Sequence, residues 1–353
     1  MSPRTGKDGS EVRETRMVAV EYHADLKEVQ SDAALARVLG EGSGAAPFDR
    51  LEWWQMLATH CGKSPRIVVA RSEAGYLVLP LEDTNSHLEG MANWYTFRLR
   101  PVASAGADRE ALMAAIAADL ADRSHRIVLG GVPNEDRSAD LIERAFRSAG
   151  WTVRREQCDV NHILNVAGRS YTDYLAARPG RLRTTLKRKS GKVDAVVLNH
   201  FDHEVWNAYE AIYRQSWKPE EGSPEFLRAF AMAEAKAGRL RLGIARAGGE
   251  AIASQMWTVE GGTAFIHKLA HLEAARALSP GTVLSAALFR HVIDVDRVDL
   301  VDFGTGDDGY KRDWMEEVRP RYRLDMYRPL APQNWLVFAR SGLRRLADIG
   351  KRG

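Results

Sequence analysis

The spacing of apolar residues along the first 165 positions alternates between the period of a helix and that of a strand. Apolar residues three or four positions apart predict helices at 25–40, 47–62, 108–122 and 138–150. Alternating or continuous apolar runs predict strands at 17–22, 65–82 (a hairpin), 94–102, 125–132 and 151–166 (two strands). The predicted buried face of the helix at 47–62 carries Leu51, Trp54, Met56 and Leu57.

The same succession of elements recurs in the second half of the chain. The predicted helices lie at 170–193 (a pair), 205–217, 224–238, 279–293 and 309–317. The predicted strands lie at 194–201, 240–249, 250–262, 263–274 and 297–304. Because the order occurs twice, we expect two similar α/β domains joined near residue 165.

Four parts of the chain follow from this pattern. A charged, glycine-containing flexible tail occupies 1–16, and the two domains span 17–165 and 166–330. Residues 331–353 combine apolar and basic positions at helical spacing. This basic amphipathic C-terminal helix either lies in a membrane interface or packs on its own domain.

Composition and charge exclude several classes of protein. The chain has 353 residues, of which 45% are hydrophobic, as in a globular protein. A net charge of +3 does not indicate a dedicated nucleic-acid binder. The two cysteines, Cys61 and Cys158, form neither a disulfide framework nor zinc-ligand spacing, so no metal site is expected. With no secretion signal or membrane-spanning run, the predicted location is cytoplasmic, with attachment to the inner face of the membrane left open.

The start of the helix at 279–293 has the composition of an anion site. Ser279 is a suitable N-cap, Pro280 suits the first helical position, and Gly281 allows a ligand to approach the backbone. Unpaired amides and the helix dipole favour a phosphate at such a terminus. The segment lacks the glycine patterns of nucleoside-triphosphate and dinucleotide sites. The alternative is a cap of a core helix without a ligand.

Two runs of sequence resemble one branch of the GNAT acyltransferases, the FemAB-like and CelD-like branch. They are FIHKLAHLEAARALSPGTVLSAAL (265–288) and VDLVDFGTGDDGYKRDW (298–314), and 47–57, 181–189 and 216–217 are also similar. The resemblance implies an α/β (α+β) fold of two tandem GNAT-like domains, each a mixed, mostly antiparallel sheet flanked by helices. It also implies that the second domain binds most of an acyl thioester.

The resemblance further implies a cosubstrate site. The strand at 267–271, with Leu269 and Ala270, would receive the pantetheine arm. The phosphate end would lie near Arg276, Ser279, Pro280, Gly281 and Thr282. Ala277 and Pro280 replace the usual GNAT glycine pair, so an acyl carrier protein is a second candidate donor beside acyl-CoA. No permanently bound cofactor is expected.

The implied reaction is attack of a neutral amine on a thioester carbonyl. It requires a base, donors for the oxyanion and an acid for the leaving thiolate. The strand period places His267 and His271, both candidate bases, on one side and Lys268 on the other. The other candidates are Asp307 as orienter or base, Tyr310 as acid or orienter, and Lys311, like Lys268, as charge stabiliser. Structural roles for the histidines and a simple glycine-rich turn at 304–311 are the alternatives.

The acceptor is predicted less directly than the reaction. A lipid or cell-envelope amine, such as a sphingoid base in a ceramide-synthase-like reaction, agrees with the basic C-terminal end and an anionic membrane partner. One alternative is a FemAB-like peptidoglycan transferase that uses aminoacyl-tRNA, with tRNA bound by the six Lys and Arg of 181–192. That basic run could equally be a solvated face. Another alternative is a non-catalytic scaffold that holds a carrier protein.

Overall fold

One continuous sheet forms the centre of the molecule. The computed structural model describes residues 18–40 and 46–334. The strands are β1 (Ala19–His23), β2 (Pro65–Ser72), β3 (Gly75–Asp83), β4 (Leu88–Gly90), β5 (Val102–Ala103), β6 (Arg126–Val132), β7 (Thr152–Asn165), β8 (Asp194–Leu198), β9 (Leu240–Ala247), β10 (Glu250–Glu260), β11 (Thr263–His271), β12 (Leu300–Thr305) and β13 (Glu317–Tyr327). Their order is β1-β2-β3-β4-β6-β13-β7-β12-β11-β10-β9-β8, with β5 paired to β3. Most pairs are antiparallel, which confirms the predicted mixed, mostly antiparallel α/β architecture.

Helices flank the sheet. They are α1 (Leu26–Ser31), α2 (Ala33–Val38), α3 (Leu51–Cys61), α4 (Arg109–Leu120), α5 (Ser138–Ser148), α6 (Tyr171–Ala176), α7 (Gly180–Lys189), α8 (His203–Arg214), α9 (Pro224–Lys236), α10 (Pro280–Arg290) and α11 (Lys311–Trp314). A π-helical turn, His291–Val295, extends α10. Among the described residues, no helix has the length and apolar character needed to cross a bilayer.

The last strand, β13, lies in the middle of the sheet. It pairs with β6 on one side and with β7 on the other, both antiparallel. Residues near the end of the chain therefore join the strands of the first half to those of the second. No element is predicted for 318–330, although apolar and charged residues alternate strictly along 317–326.

Three apolar clusters fill the spaces between sheet and helices. One lies beneath α4 and α5 on the first half, and another lies beneath α6, α7 and α10 on the second half. The third combines α3 with α8 and α9. In this cluster the Trp53 ring lies 5.0 Å from both Phe226 and Phe230. The two halves of the chain thus share this third cluster.

Most predicted elements are confirmed, but several boundaries are wrong. The helix at 25–40 is two helices, because the Asp32 side chain caps α2 by accepting from the amides of Ala34 and Leu35. Residues 94–101 form a loop rather than a strand, and 151–166 forms the single strand β7. The helix at 309–317 shrinks to the four residues of α11 because β13 begins at 317.

The buried face of α3 also differs from the prediction. Leu51, Trp54 and Leu57 are buried as expected. Trp53 is buried as well, while Met56 is only partly buried, because α3 contacts α9 as well as the sheet.

Two predicted segments lie outside the described residues. They are the N-terminal tail at 1–16 and all but the first four residues of the C-terminal helix at 331–353. The described residues of the latter include a short 3₁₀ helix, Pro332–Asn334.

Candidate functional site

A cleft opens where the parallel strands β11 and β12 separate. The strands pair only from Thr263 with Leu300 to Phe265 with Asp302. Beyond this point β11 continues alongside β10 alone. The resulting cleft of about 160 Å³ has residues 266–269 on one wall and 303–305 on the other. In the described chain, the edge of β11 that faces the cleft has no strand partner over 266–271.

A bulge in β11 shapes this wall. Met256 pairs with Lys268 and Trp257 with Ile266, so His267 is an extra residue without a partner on β10. The bulge breaks the alternation of side chains. His267 and Lys268 therefore both face the aromatic cluster shared by the two halves, whereas the predicted alternation placed them on opposite sides.

His267 lies in a nearly closed aromatic environment. Its ring centroid is 5.0 Å from that of Phe230 and 5.2 Å from that of Phe97. Its Nε2 lies 2.8 Å from the Thr258 hydroxyl. Burial, together with the charges of Arg50 and Lys268, lowers the pKa of His267 to about 3. A neutral, weakly basic imidazole is poorly suited to the predicted role of general base.

Lys268 is held by the partly buried carboxylate of Glu221. Its Nζ lies 2.7 Å from Glu221 Oε2 and above the ring of Tyr213, with the nitrogen 4.6 Å from the ring centroid. The hydroxyls of Tyr95 and Tyr209 also donate to Glu221. Burial lowers the pKa of Lys268 and the charge of Glu221 opposes this shift. The cluster fixes an amino group at one wall of the cleft.

The loop after β12 forms the opposite wall. Gly304 and Gly306 have φ of +69° and +93°, which favour glycine. The buried Lys311 Nζ donates to the carbonyls of Thr305 and Gly306, at 2.5 and 3.1 Å. Burial lowers the pKa of Lys311, and nearby Asp308 counteracts this. Lys311 thus holds the loop in its turn and lines the cleft.

Tyr310 lines the cleft and Asp307 does not. The Tyr310 ring packs edge-on against Phe303, and burial raises the pKa of its hydroxyl, as does Asp308. Asp307 instead lies 2.9 Å from His162 Nε2, and its other oxygen accepts from Arg312. Asp308, and not the predicted Asp307, therefore lines the cleft.

Replacing Gly304 with alanine should lower the free energy of unfolding by about 2 kcal/mol. A Cβ there would lie 2.8 Å from the Phe97 ring, and the positive φ disfavours any side chain. Urea unfolding measures the change. Gly309→Ala is the matched control, since its Cβ meets nothing within 4 Å and its φ is not positive. Equal stability of both variants would show that Phe97 and the turn do not constrain Gly304.

Ser279 is the N-cap residue of α10 and Pro280 begins the helix, as predicted. Ser279 has φ of 51° and ψ of 46°, however, and its side chain makes no capping hydrogen bond. The first intrahelical bond runs from Val283 N to Ser279 O, which leaves the amides of Gly281 and Thr282 at the open end of the helix. Pro280 is buried.

Contacts connect this helix end to the cleft. Lys218 lines the cleft, and the adjacent Trp217 packs on His271 with ring centroids 4.4 Å apart. A Cβ on Gly281 would lie 3.4 Å from the His271 ring. His271 Nδ1 lies 3.1 Å from the Leu272 carbonyl.

The remaining predicted cosubstrate residues have different positions. Leu269 lines the cleft, whereas Ala270 is buried in the core. Arg276 is 81% exposed, and its nearest carboxylate is that of Glu273 at 4.0 Å. Arg276 therefore does not line the cleft.

Several residues of the site come from distant segments and are not predicted as site residues. They are Trp94, Tyr95, Phe97, Tyr213, Lys218, Glu221 and Asp308. No local spacing indicates a role for them, and only Asp308 lies in the two runs that carry the predicted site residues. No group of three His, Cys, Asp or Glu side chains arranged to hold a metal occurs in 18–40 and 46–334.

Comparison with known proteins agrees with this geometry. Residues 203–312 match the family described as the acetyltransferase (GNAT) domain. Among curated proteins, none matches the sequence of this chain.

Solved structures share the fold at low sequence identity. The fold is similar to that of FemX, with a TM-score of 0.62 over 90% of this chain and 99% of that chain, at 11% identity. It is also similar to L-PGS from Bacillus licheniformis (TM-score 0.51, 12% identity, 84% and 96% covered). A tandem GNAT protein from the clavulanic acid biosynthesis pathway matches with a TM-score of 0.51 (14% identity, 87% and 98% covered). Residues 203–312 therefore match a GNAT acetyltransferase domain, and the chain shares the fold of FemX and of a tandem GNAT protein.

Proposed function

We propose that this protein transfers an acyl group from acyl-CoA, or from an acyl carrier protein, to an amine. The observation that carries the proposal is the cleft between β11 and β12, whose bulged edge strand has no ladder partner over 266–271. Backbone amides on that edge are available to a thioester carbonyl, and fixed donors of this kind stabilise an oxyanion. The pantetheine arm would occupy the cleft.

The phosphate end of the donor would extend past His271 to the start of α10. The amides of Gly281 and Thr282 and the helix dipole favour an anion there. Of the two predicted domains, 17–165 and 166–330, the second would bind the donor in this proposal.

The residues around the cleft supply the remaining chemistry. The amine nitrogen bonds to the acyl carbon, the C–S bond breaks, and Tyr310 donates a proton to the leaving thiolate. Its raised pKa keeps the hydroxyl protonated at neutral pH. His271 is the proposed base, because donation from Nδ1 to the Leu272 carbonyl leaves Nε2 as an acceptor. Lys268 and Lys311 supply positive charge.

A lipid or cell-envelope amine is the proposed acceptor class, with the protein at the inner face of the membrane. Two of the large exposed apolar side chains in the described chain, Trp94 and Tyr310, line the cleft, and a third, Trp217, is next to the lining residue Lys218 and packs on His271. An aromatic rim with Lys218 beside it suits a molecule with an apolar part at a membrane interface.

Gly281→Glu should weaken the binding of palmitoyl-CoA at least tenfold. The carboxylate would lie where the pyrophosphate is expected and would repel it. Titration calorimetry with CoA, acetyl-CoA and palmitoyl-CoA measures the effect. Gly281→Ala is the control, because it adds the Cβ contact with His271 without the charge.

Two outcomes would contradict this proposal. Equal weakening by alanine and glutamate would show that crowding, and not charge, causes the loss. No binding of any of the three ligands to a folded wild-type protein would exclude CoA as the donor.

Aminoacyl-tRNA is a second candidate donor because α7 presents exposed basic side chains. Lys187 and Arg188 are exposed on this helix. Salt-dependent binding of tRNA that Lys187→Gln with Arg188→Gln removes would favour this donor.

A further inference from the structure

The first half of the sheet contains a second cleft built like the first. Within the described chain two strand pairs are parallel, β11 with β12 and β4 with β6. The pair β4–β6 is short, with Leu88 opposite Ile127 and Glu89 opposite Val128. A cleft of about 420 Å³ opens directly beyond it, lined by Gly90, Gly130 and Gly131.

A bulge lies at this divergence too. Val132 pairs with Tyr322 and Leu129 with Leu324, so Gly130 and Gly131 together face Arg323. A Cβ on either glycine would meet nothing within 4 Å. The floor of the second cleft is therefore open backbone.

The next long helix after β4 is α4, and its N-terminus, unlike that of α10, does not favour a phosphate. The Asp108 side chain accepts from the Ala111 amide at the start of α4, and Glu110 lies in its first turn. The first turn of α10 contains no acidic residue and no side-chain cap. Two carboxylates at the start of α4 would repel a pyrophosphate. The second cleft is thus not suited to a second thioester.

Its polar lining favours a cation. Glu89 and Asp159 each keep one carboxylate oxygen, Oε2 and Oδ2, without a hydrogen-bond partner among the described residues. The two guanidinium groups of the cleft each contact a carboxylate, Arg98 that of Asp49 and Arg323 that of Asp325, and Arg98 Nε makes no hydrogen bond within the described chain. An ammonium group is the ligand that these free oxygens fit.

Neutral polar side chains also line this cleft, namely Asn93, Thr96 and Thr305. Asn93 and Thr96 are hydrogen-bonded to each other and within their own loop. The Thr305 hydroxyl has no hydrogen-bond partner among the described residues, so it can pair with a hydroxyl group next to an ammonium. A 2-amino alcohol combines these features, and it occurs both in amino sugars and in long-chain lipid bases.

The two clefts meet. Trp94 and Thr305 line both of them. Asp159 Oδ1 accepts from the Gly306 amide at 2.9 Å, which ties the second cleft to the loop that bounds the first. The Trp94 ring packs directly against Gly222, so a side chain from the first half of the chain contacts the backbone of the second half.

We infer that the second cleft binds the acceptor as a 2-amino alcohol, with its ammonium at Asp159 beside Thr305. The inference rests on the proposed function. The bound ammonium releases one proton to solvent. The neutral nitrogen then bonds to the acyl carbon as the C–S bond breaks, its second proton leaves through the base, and the thiolate takes a proton from Tyr310.

Direct binding of two probes tests the site without any thioester. Titration calorimetry of the full chain with glucosamine, and with sphinganine in detergent micelles, should show that at least one binds. Asp159→Asn should weaken that binding at least tenfold, because it keeps the Oδ1 acceptor for Gly306 and removes only the charge. Gly130→Leu should also weaken it at least tenfold by filling the cleft. Whichever probe binds distinguishes a sugar acceptor from a lipid one.

Matched variants separate this inference from the proposed function. Gly191→Leu adds the same side chain at an exposed glycine where a Cβ also meets nothing, and should bind the probe normally. Gly281→Glu should bind the probe normally while losing palmitoyl-CoA. Binding of neither probe, or binding unaffected by Gly130→Leu, overturns the inference. Failure of palmitoyl-CoA alone contradicts the donor and leaves the amine site standing.

Discussion

Replacing Glu234 with glutamine is expected to lower the free energy of unfolding by about 3–5 kcal/mol. Glu234 lies on α9 with no exposed side-chain surface. Its Oε1 accepts from Arg50 at 2.6 Å and its Oε2 from Arg239 at 2.8 Å. Glutamine keeps the shape but removes the negative charge. The buried Arg50 and Arg239 then face only Glu260, whose pKa burial raises to about 7, and the half-exposed Glu52. Urea unfolding measures the loss.

The effect should depend on burial and not on the mere presence of an ion pair. Glu52 also contacts Arg50, at 2.9 Å, but its side chain is 45% exposed. Glu52→Gln should therefore cost less than about 1 kcal/mol. Equal losses in the two variants would contradict the assignment of Glu234 as the centre of the buried ion cluster between the two halves.

Replacing Tyr310 with phenylalanine is expected to lower kcat for acyl transfer about 100-fold. The variant keeps the ring that packs on Phe303 and removes only the hydroxyl that would protonate the thiolate. The KM for the thioester should change little, because donor binding depends on the cleft and the start of α10. Steady-state kinetics with palmitoyl-CoA and the acceptor that binds best separates the two parameters.

The pH profile distinguishes an acid from a merely structural tyrosine. On the alkaline side of the profile, kcat should stay level up to strongly alkaline pH when Tyr310 is present, because burial raises the pKa of the hydroxyl. Tyr76→Phe is the control, since Tyr76 lies outside the cleft beneath Arg71. A kcat for Tyr310→Phe close to that of the wild type would exclude Tyr310 as the acid.

Much of the cleft between β11 and β12 could be predicted because it is built from two local runs. Residues 267–269 form one wall and Tyr310 and Lys311 part of the other, and each run carries recognisable motifs. Their side-chain directions could not be predicted. The bulge at His267 depends on the register with β10, so the alternation expected for 267–271 fails at that residue.

The partners of these residues could not be predicted. Glu221 binds Lys268 across 47 positions, and Tyr95 binds Glu221 across 126. Trp94 reaches both clefts from a loop that the apolar pattern assigned to a strand. Such contacts depend on how the two halves pack, which no local spacing records.

The sequence by itself determined the types of most elements and their repeated α/β order, because local periodicity reflects which face of an element is buried. It also determined the two runs that line the cleft between β11 and β12, because each run carries recognisable motifs. The tertiary structure alone decided that β13 inserts between β6 and β7, that β11 bulges at His267, and that a second parallel pair diverges at Gly90. These features depend on hydrogen bonds between strands far apart in the chain. The energy that selects one pairing over another is therefore not contained in either strand alone.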